Sequence, residues 1–216
     1  MKCDLCPRKC LVDRKKGEKG ICGQTENLKV ARAALHFWEE PCISGDAGSG
    51  AVFFSGCPLH CVFCQNENIA NGTVGKEISL ERLVDIFLEL QEKRANNINL
   101  VTPGHFVPQI VKALDQARKE GLTLPVVYNT SSYETVDTIK MLEGYVDIYL
   151  PDFKYMSPVL SKKYSHAPDY AEVAKAAIAE MVRQTGKAVF VNGDEDNLIL
   201  SGTIVRHLTL PGCMAD

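Results

Sequence analysis

The residues with the greatest chemical capacity in this chain are its cysteines: nine among 216 residues, eight of them before residue 65. Three lie in Gly56-Cys57-Pro58-Leu59-His60-Cys61-Val62-Phe63-Cys64, a Cys-x3-Cys-x2-Cys triplet directly after the apolar run 51–54. Three thiolates on one tight loop can hold three corners of an iron-sulfur cube and leave the fourth iron open. Zinc or buried structural thiols are the competing readings, but structural zinc takes four ligands, and the nearest fourth candidate, His60, lies inside the loop itself. Cys3, Cys6, Cys10 and Cys22 form a second group, with Pro7, Gly17, Gly20 and Gly23 suited to the turns of a knuckle. They are a candidate site for zinc or another cluster, the alternative being that only some are ligands and the rest pack. Cys42 and Cys213 stand alone and read as small apolar or incidental residues. The odd total and the absence of an apolar leader argue against a disulfide framework.

The elements that must position these thiols follow from periodicity. Behind Ser79 as N-cap, Leu80, Leu83, Val84, Phe87 and Leu88 recur at helical spacing, with Lys93 and Arg94 in the last turn. The apolar run 98–101 predicts a strand, and Pro108 opens a helix carrying Ile110, Val111, Leu114 and Ala117 on one face, ended by Gly121. Residues 125–128 predict a strand, Ser131 with Glu134 the capping box of a helix, and 146–150 another strand. A helix through Tyr170, Val173, Ala174, Ala177, Ile178, Met181 and Val182 stops at Gly186, and residues 203–210 form the last strand. Residues 188–200 read as a hairpin around Asn192-Gly193-Asp194. Strands alternating with helices predict an α/β fold with a parallel sheet of five core strands, doubly wound or barrel-like. The stretch 44–50, rich in Gly and Ser, reads as a hinge dividing an N-terminal cysteine-rich segment, 1–45, from a body at 46–216.

Composition narrows the partners. With 45% hydrophobic and 24% charged residues the chain has the usage of a globular protein, and its net charge of -3 gives no basic footprint for nucleic acid. No apolar run approaches the roughly 20 residues needed to cross a bilayer, so no membrane partner is expected and the cytoplasm is the expected location. Phe37, Trp38, Tyr164 and Tyr170 read as core or rim, and Asp194-Glu195-Asp196 as a solvated turn.

The Cys-x3-Cys-x-aromatic-Cys loop after the first parallel strand resembles the radical S-adenosylmethionine (SAM) superfamily. The stretches Cys3-Asp4-Leu5-Cys6-Pro7-Arg8-Lys9-Cys10, Glu39-Glu40-Pro41-Cys42-Ile43-Ser44-Gly45, Phe54-Ser55-Gly56-Cys57 and Cys64-Gln65-Asn66 resemble, more narrowly, a little-characterised branch related to pyruvate formate-lyase activating enzymes. The resemblance implies a partial (β/α) barrel with a 4Fe-4S cluster on Cys57, Cys61 and Cys64, whose open iron chelates SAM, with Phe63 near the adenine. One-electron reduction, with reduced flavodoxin or ferredoxin as donor, would cleave SAM to methionine and a 5′-deoxyadenosyl radical that abstracts hydrogen. By resemblance the substrate is a glycyl radical enzyme activated as a protein partner. A small molecule or peptide substrate is the alternative within the enzyme class, and a non-catalytic iron-sulfur or zinc protein that carries electrons or scaffolds a complex is the alternative outside it.

Ligands of parallel α/β sheets bind at the carboxyl ends of the strands, and those ends are polar here: Thr102-Pro103-Gly104-His105, Asn129-Thr130-Ser131, Asp152-Phe153-Lys154, and Arg206-His207. The resemblance carries cofactor contacts onto Asp152, Lys154 and Arg206; a solvated loop pair and a surface ion pair are the plainer reading. Where many relatives have Gly-Gly-Glu after the second strand, this chain has Thr102-Pro103-Gly104-His105, so Thr102 or His105 would replace the acid by hydrogen bonding. The chain also ends before the sixth strand of the activating-enzyme barrel, which predicts either a fragment or an edge covered by a partner.

Overall fold

The computed structural model describes residues 2–194, 197–213 and 216. Its elements begin with β1 (Lys29–His36), α1 (Pro41–Ser44), β2 (Ser49–Phe54), α2 (Glu67–Ala70), β3 (Lys76–Glu77), α3 (Leu80–Glu92) and β4 (Ile98–Val101). There follow α4 (Val107–Lys119), β5 (Val126–Thr130), α5 (Val136–Lys140), β6 (Ile148–Phe153), α6 (Pro158–Ser165), α7 (Tyr170–Thr185), β7 (Val189–Phe190), β8 (Ile199–Thr203) and β9 (Arg206–His207). The fold is mixed α/β around a central sheet in the order β3-β1-β2-β4-β5-β6-β8-β7, and the sheet is not closed. β2, β4, β5, β6 and β8 run parallel, whereas β1, β3 and β7 are antiparallel additions at the two sides.

Local signals explain the helices that frame the sheet. The Ser79 side chain accepts the Arg82 N–H and starts α3, which buries Leu83, Val84, Ile86, Phe87 and Leu90. Pro108 occupies the first turn of α4, where its missing N–H costs nothing, and α7 stops at Gly186, at φ 65°. These helices bury their apolar stripes with Val52, Phe54, Leu100, Tyr128 and Tyr149 on one face of the sheet. The other face carries a smaller core of Val127, Ile148, Leu150 and Ile199 around Ile43 of α1. Alternation along each strand sends successive side chains to opposite faces, so Asn129 and Asp152 share the Ile43 side.

Three expectations are corrected. The helix expected at Ser131 begins instead after Thr135, whose side chain accepts the Thr138 N–H. Glu134 does not cap it, because its carboxylate accepts hydrogen bonds from Tyr128 Oη at 3.2 Å and Thr130 Oγ1 at 2.8 Å. The fifth strand starts at Ile199 and is interrupted, with Gly202 and Thr203 of β8, then Arg206 and His207 of β9, paired along β6. The hairpin is β7–β8, and Glu195 and Asp196 of the expected turn lie outside the described residues. Contacts cross the 45/46 position: β1 pairs with β2 from Val30↔Phe54 to His36↔Ser49, and the Ile43 side chain is fully buried. Periodicity had also passed over β1 and α6, a strand with only one buried position and an eight-residue helix of weak amphipathicity.

Candidate active site

The thiol triplet leaves the end of β2 on a turn that requires glycine. Gly56 has φ 89°, and a Cβ there would collide with the Cys22 carbonyl and the Gln24 side chain. Within the loop, the Leu59 N–H donates to Cys57 Sγ at 3.4 Å and the Ser165 hydroxyl donates to Cys61 Sγ at 3.0 Å. Leu59, Tyr133, Tyr155 and Tyr170 wall the loop with apolar surface, and Phe63 sets its ring 6.4 Å from those of Tyr155 and Tyr164. Burial pushes the Cys57 thiol up to about 11, against the backbone N–H groups of Leu59 and His60. Burial also raises Cys61, while Ser165 and the nearby Lys154 ammonium pull it down. Ligation must therefore displace protons, which makes metal loading pH-dependent. Among the described residues no three His, Cys, Asp or Glu side chains converge on a single ion. A cubane spreads its thiolates over separate irons, so three thiols on one loop, without a fourth ligand, fit a cluster with one open iron.

Beside this loop the strand ends assemble a charged network. Asp152 accepts from Lys154 Nζ at 2.6 Å and from Arg206 Nε at 2.8 Å, because the β6–β9 register sets Asp152 against Arg206. Arg206 also donates to Asn129 Oδ1 at 2.7 Å and to Glu39 Oε2 at 3.3 Å, and lies 3.8 Å from Glu40. Asn129 closes the ring by donating to Glu39 Oε1 at 3.2 Å. Burial raises the Glu39 pKa, opposed chiefly by Arg206. The plainer expectation of a solvated loop pair fails here: Lys154 is 14% and Asp152 20% exposed, and three strand ends and the segment before α1 meet in one network.

Several of these groups carry no signal in the sequence. Glu39 and Glu40 were legible only as part of a resembling stretch, without a role. The Tyr170 hydroxyl accepts the Lys154 N–H at 3.0 Å and lies 2.8 Å from the Ser131 carbonyl and 2.9 Å from that of Asp152, so it braces two strand ends. Nothing in the pattern around Tyr170 distinguishes it from a core aromatic.

Two expected cofactor contacts separate. Thr102 stands at the end of β4, partly exposed and at φ 55°, an uncommon backbone for a β-branched residue, with its N–H bonded to the Asn129 carbonyl. His105 lies inside the fold instead. It is 2% exposed, its Nε2 donates to the Ser55 carbonyl at 2.7 Å, and its Nδ1 is buried, so both ring nitrogens are closed to a cofactor. Burial depresses its pKa to about 3, leaving the ring neutral. Its contact is with the base of the thiol loop.

The N-terminal thiols dock on the same loop. His60 Nε2 donates to the Ile21 carbonyl at 2.8 Å, and Arg8 donates to the carbonyls of Pro58 at 2.9 Å and Ser165 at 3.0 Å. Cys6 and Cys22 are buried; Cys10 and Cys22 lie close enough to Cys6, and Cys3 and Cys10 to Cys22, for their charges to interact. Burial pushes Cys6 up to about 12. Cys42 packs against the Ile43 core, in keeping with its apolar reading.

The family model described as the Radical SAM superfamily matches residues 51–196, from β2 across the thiol loop and strands β4 to β6. The chain belongs to the radical SAM superfamily. The chemistry this radical SAM domain implies is cleavage of SAM with an iron-sulfur cluster. An uncharacterized protein of Methanocaldococcus jannaschii is 28% identical over 215 residues, covering 97% of this radical SAM chain and 57% of the relative. The chain thus spans little more than half the length of the curated relative it matches. No helix among the described residues is long and apolar enough to cross a membrane.

Proposed function

We propose that this radical SAM protein holds a 4Fe-4S cluster on Cys57, Cys61 and Cys64 and acts as a hydrogen-abstracting activase, generating a glycyl radical on a partner polypeptide. The observation that carries the reading is the adjacency of the three-thiol loop to the Asn129–Asp152–Lys154–Arg206 network, with Lys154 close enough to Cys61 to favour its thiolate. When bound, the cluster and SAM supply the electron and the 5′-deoxyadenosyl radical.

The chain's own residues bind, orient and exclude water. Lys154 and Arg206 offer cationic donors to the carboxylate end of SAM, Asp152 and Asn129 hold those cations in place, and Phe63 offers an aromatic edge to the adenine. Thr102 presents its backbone and hydroxyl at the position where relatives carry an acid. The aromatic wall of Tyr155, Tyr164 and Tyr170 keeps water from the thiols. His105 positions the loop through Ser55. In this reading the open sheet is a partial (β/α) barrel, Cys3, Cys6, Cys10 and Cys22 bind zinc or a second cluster, the electron donor is reduced flavodoxin or ferredoxin, and the protein works in the cytoplasm. The activase assignment and its partner rest on the resemblance to pyruvate formate-lyase activating enzymes.

The test is anaerobic reconstitution with iron and sulfide, reduction, and addition of SAM. 5′-Deoxyadenosine should form and should require Cys57, Cys61 and Cys64. A well-formed cluster that neither changes its spectrum with SAM nor yields 5′-deoxyadenosine would overturn the reading in favour of an electron carrier. Activase function requires in addition a glycyl-radical signal on a partner polypeptide by electron paramagnetic resonance.

A further inference from the structure

On the Ile43 face, the sheet contains a buried side-chain oxygen that nothing among the described residues satisfies. Asn99 on β4 is fully buried; its amide N–H turns to the Glu39 carboxylate and helps hold that group's proton affinity down, while its Oδ1 has no hydrogen-bond partner among the described residues. In register it lies between Ala51 and Val127, and Val127 belongs to the Ile43 core, so Asn99 points to that same face. A buried carbonyl oxygen without a donor is costly, and most buried polar groups in native structures have a partner. Glu39 lies beside it, and Glu40 adds a second unpartnered buried atom, Oε2.

Charge points the same way. Three carboxyl groups, Glu39, Glu40 and Asp152, face two basic side chains, Arg206 and Lys154, so the acids outnumber the bases by one, with His36 the other ionisable neighbour of Glu39. The Arg206 guanidinium is held by Asp152, Asn129 and Glu39 and reaches Glu40 only at 3.8 Å. The acids and the thiols come from different segments of the chain. Glu39 and Glu40 precede α1, whose carbonyls at Ile43 and Ser44 accept from Asn97 and Asn96, the residues leading into β4, whereas the thiols follow the carboxyl end of β2. Trp38, next to Glu39, is 89% exposed, so this segment borders solvent.

We propose that Glu39, Glu40 and Asn99 form a subsite for a primary ammonium group of the substrate. The N–H groups of such an ammonium satisfy Glu40 Oε2 and Asn99 Oδ1 and offset the surplus of acids, while Asn99 Nδ2 stays on Glu39. Its assignment to substrate rests on the radical SAM reading above; its existence as an ammonium site does not.

The probe is n-butylammonium against neutral n-butanol, titrated by ligand-observed NMR into cluster-reconstituted protein with SAM present. The ammonium should bind and the alcohol should not, and E40Q should weaken binding about tenfold, the loss expected when a charge-assisted hydrogen bond becomes a neutral one. Asn99→Leu, which removes both amide atoms, should abolish binding while the protein keeps its cooperative melt. Equal binding of the alcohol, or unchanged affinity in E40Q, would overturn the subsite. Displacement of n-butylammonium by SAM would overturn the substrate assignment by giving the site to the cofactor. Glu40-dependent binding in a protein whose cluster spectrum ignores SAM would leave the ammonium site standing and remove the radical SAM reading alone.

Discussion

Glu134 and His105 are buried ionisable groups whose shifts oppose one another, which makes the substitution Glu134→Gln quantitatively informative. Burial raises the Glu134 pKa from 4.5 to about 7, with Thr130 and Tyr128 only partly offsetting it. A raised carboxyl pKa means that the folded state holds the proton more tightly. Its contribution to stability is full below pH about 4.5 and is lost as pH rises through about 7. His105 is the reverse: its pKa falls from 6.5 to about 3, so its contribution is present above pH 6.5 and is lost as pH falls toward 3. Integrated between pH of about 5 and about 7, each group changes the unfolding free energy by about 2 kcal/mol, in opposite directions. In the native chain the two slopes therefore nearly cancel. Removing the Glu134 titration should expose the His105 slope: the stability of E134Q relative to the parent should rise by about 2 kcal/mol over that interval. Urea unfolding of both proteins across the pH series, with the slope m held constant, measures this difference, and titrations common to both, including those of the thiols, cancel. A difference independent of pH would mean that Glu134 is ionised or hydrated in the folded state and would refute the argument from burial.

Three further outcomes are expected. Cys61→Ala should cost the protein its main cluster, read as iron per chain and the brown absorption band, with unchanged far-ultraviolet dichroism; undiminished iron would remove Cys61 from the ligand set. Lys154→Ala should weaken SAM binding about tenfold or more, the worth of a charge-assisted hydrogen bond, with iron content retained, and equal affinity would take Lys154 out of the site. Arg8→Ala should release the cysteine-rich segment, because Arg8 bonds to Pro58 and Ser165 and stacks over the Tyr133 ring at 5.0 Å. Limited proteolysis should then cut before residue 28 faster than in the parent, and an unchanged cleavage rate would mean that the segment is held by other contacts.

Local chemistry was legible in the sequence wherever one short segment carried it alone. The triplet Cys57, Cys61 and Cys64 needs only its own loop, Ser79 caps α3 with its own side chain, and Gly186 ends α7 by its own backbone freedom. Strand polarity at the carboxyl ends likewise exposed Asn129, Asp152, Lys154 and Arg206, since a parallel α/β sheet leaves those ends to the ligand.

Only the tertiary structure decided which of these groups meet and which face inward. The Ser131–Glu134 spacing is that of a capping box, yet burial against Tyr128 and Thr130 turned the acid into the core and passed the cap to Thr135. His105 looked like a strand-end donor, but Ser55 takes one ring nitrogen and burial closes the other. Glu39 reaches Arg206 across 167 positions of the chain, and no periodicity of 2 or 3.6 residues encodes a contact of that separation. Sequence spacing fixes what a single loop, strand or helix can present; the register of β6 against β9 and the docking of the segment before α1 fix which charges face one another.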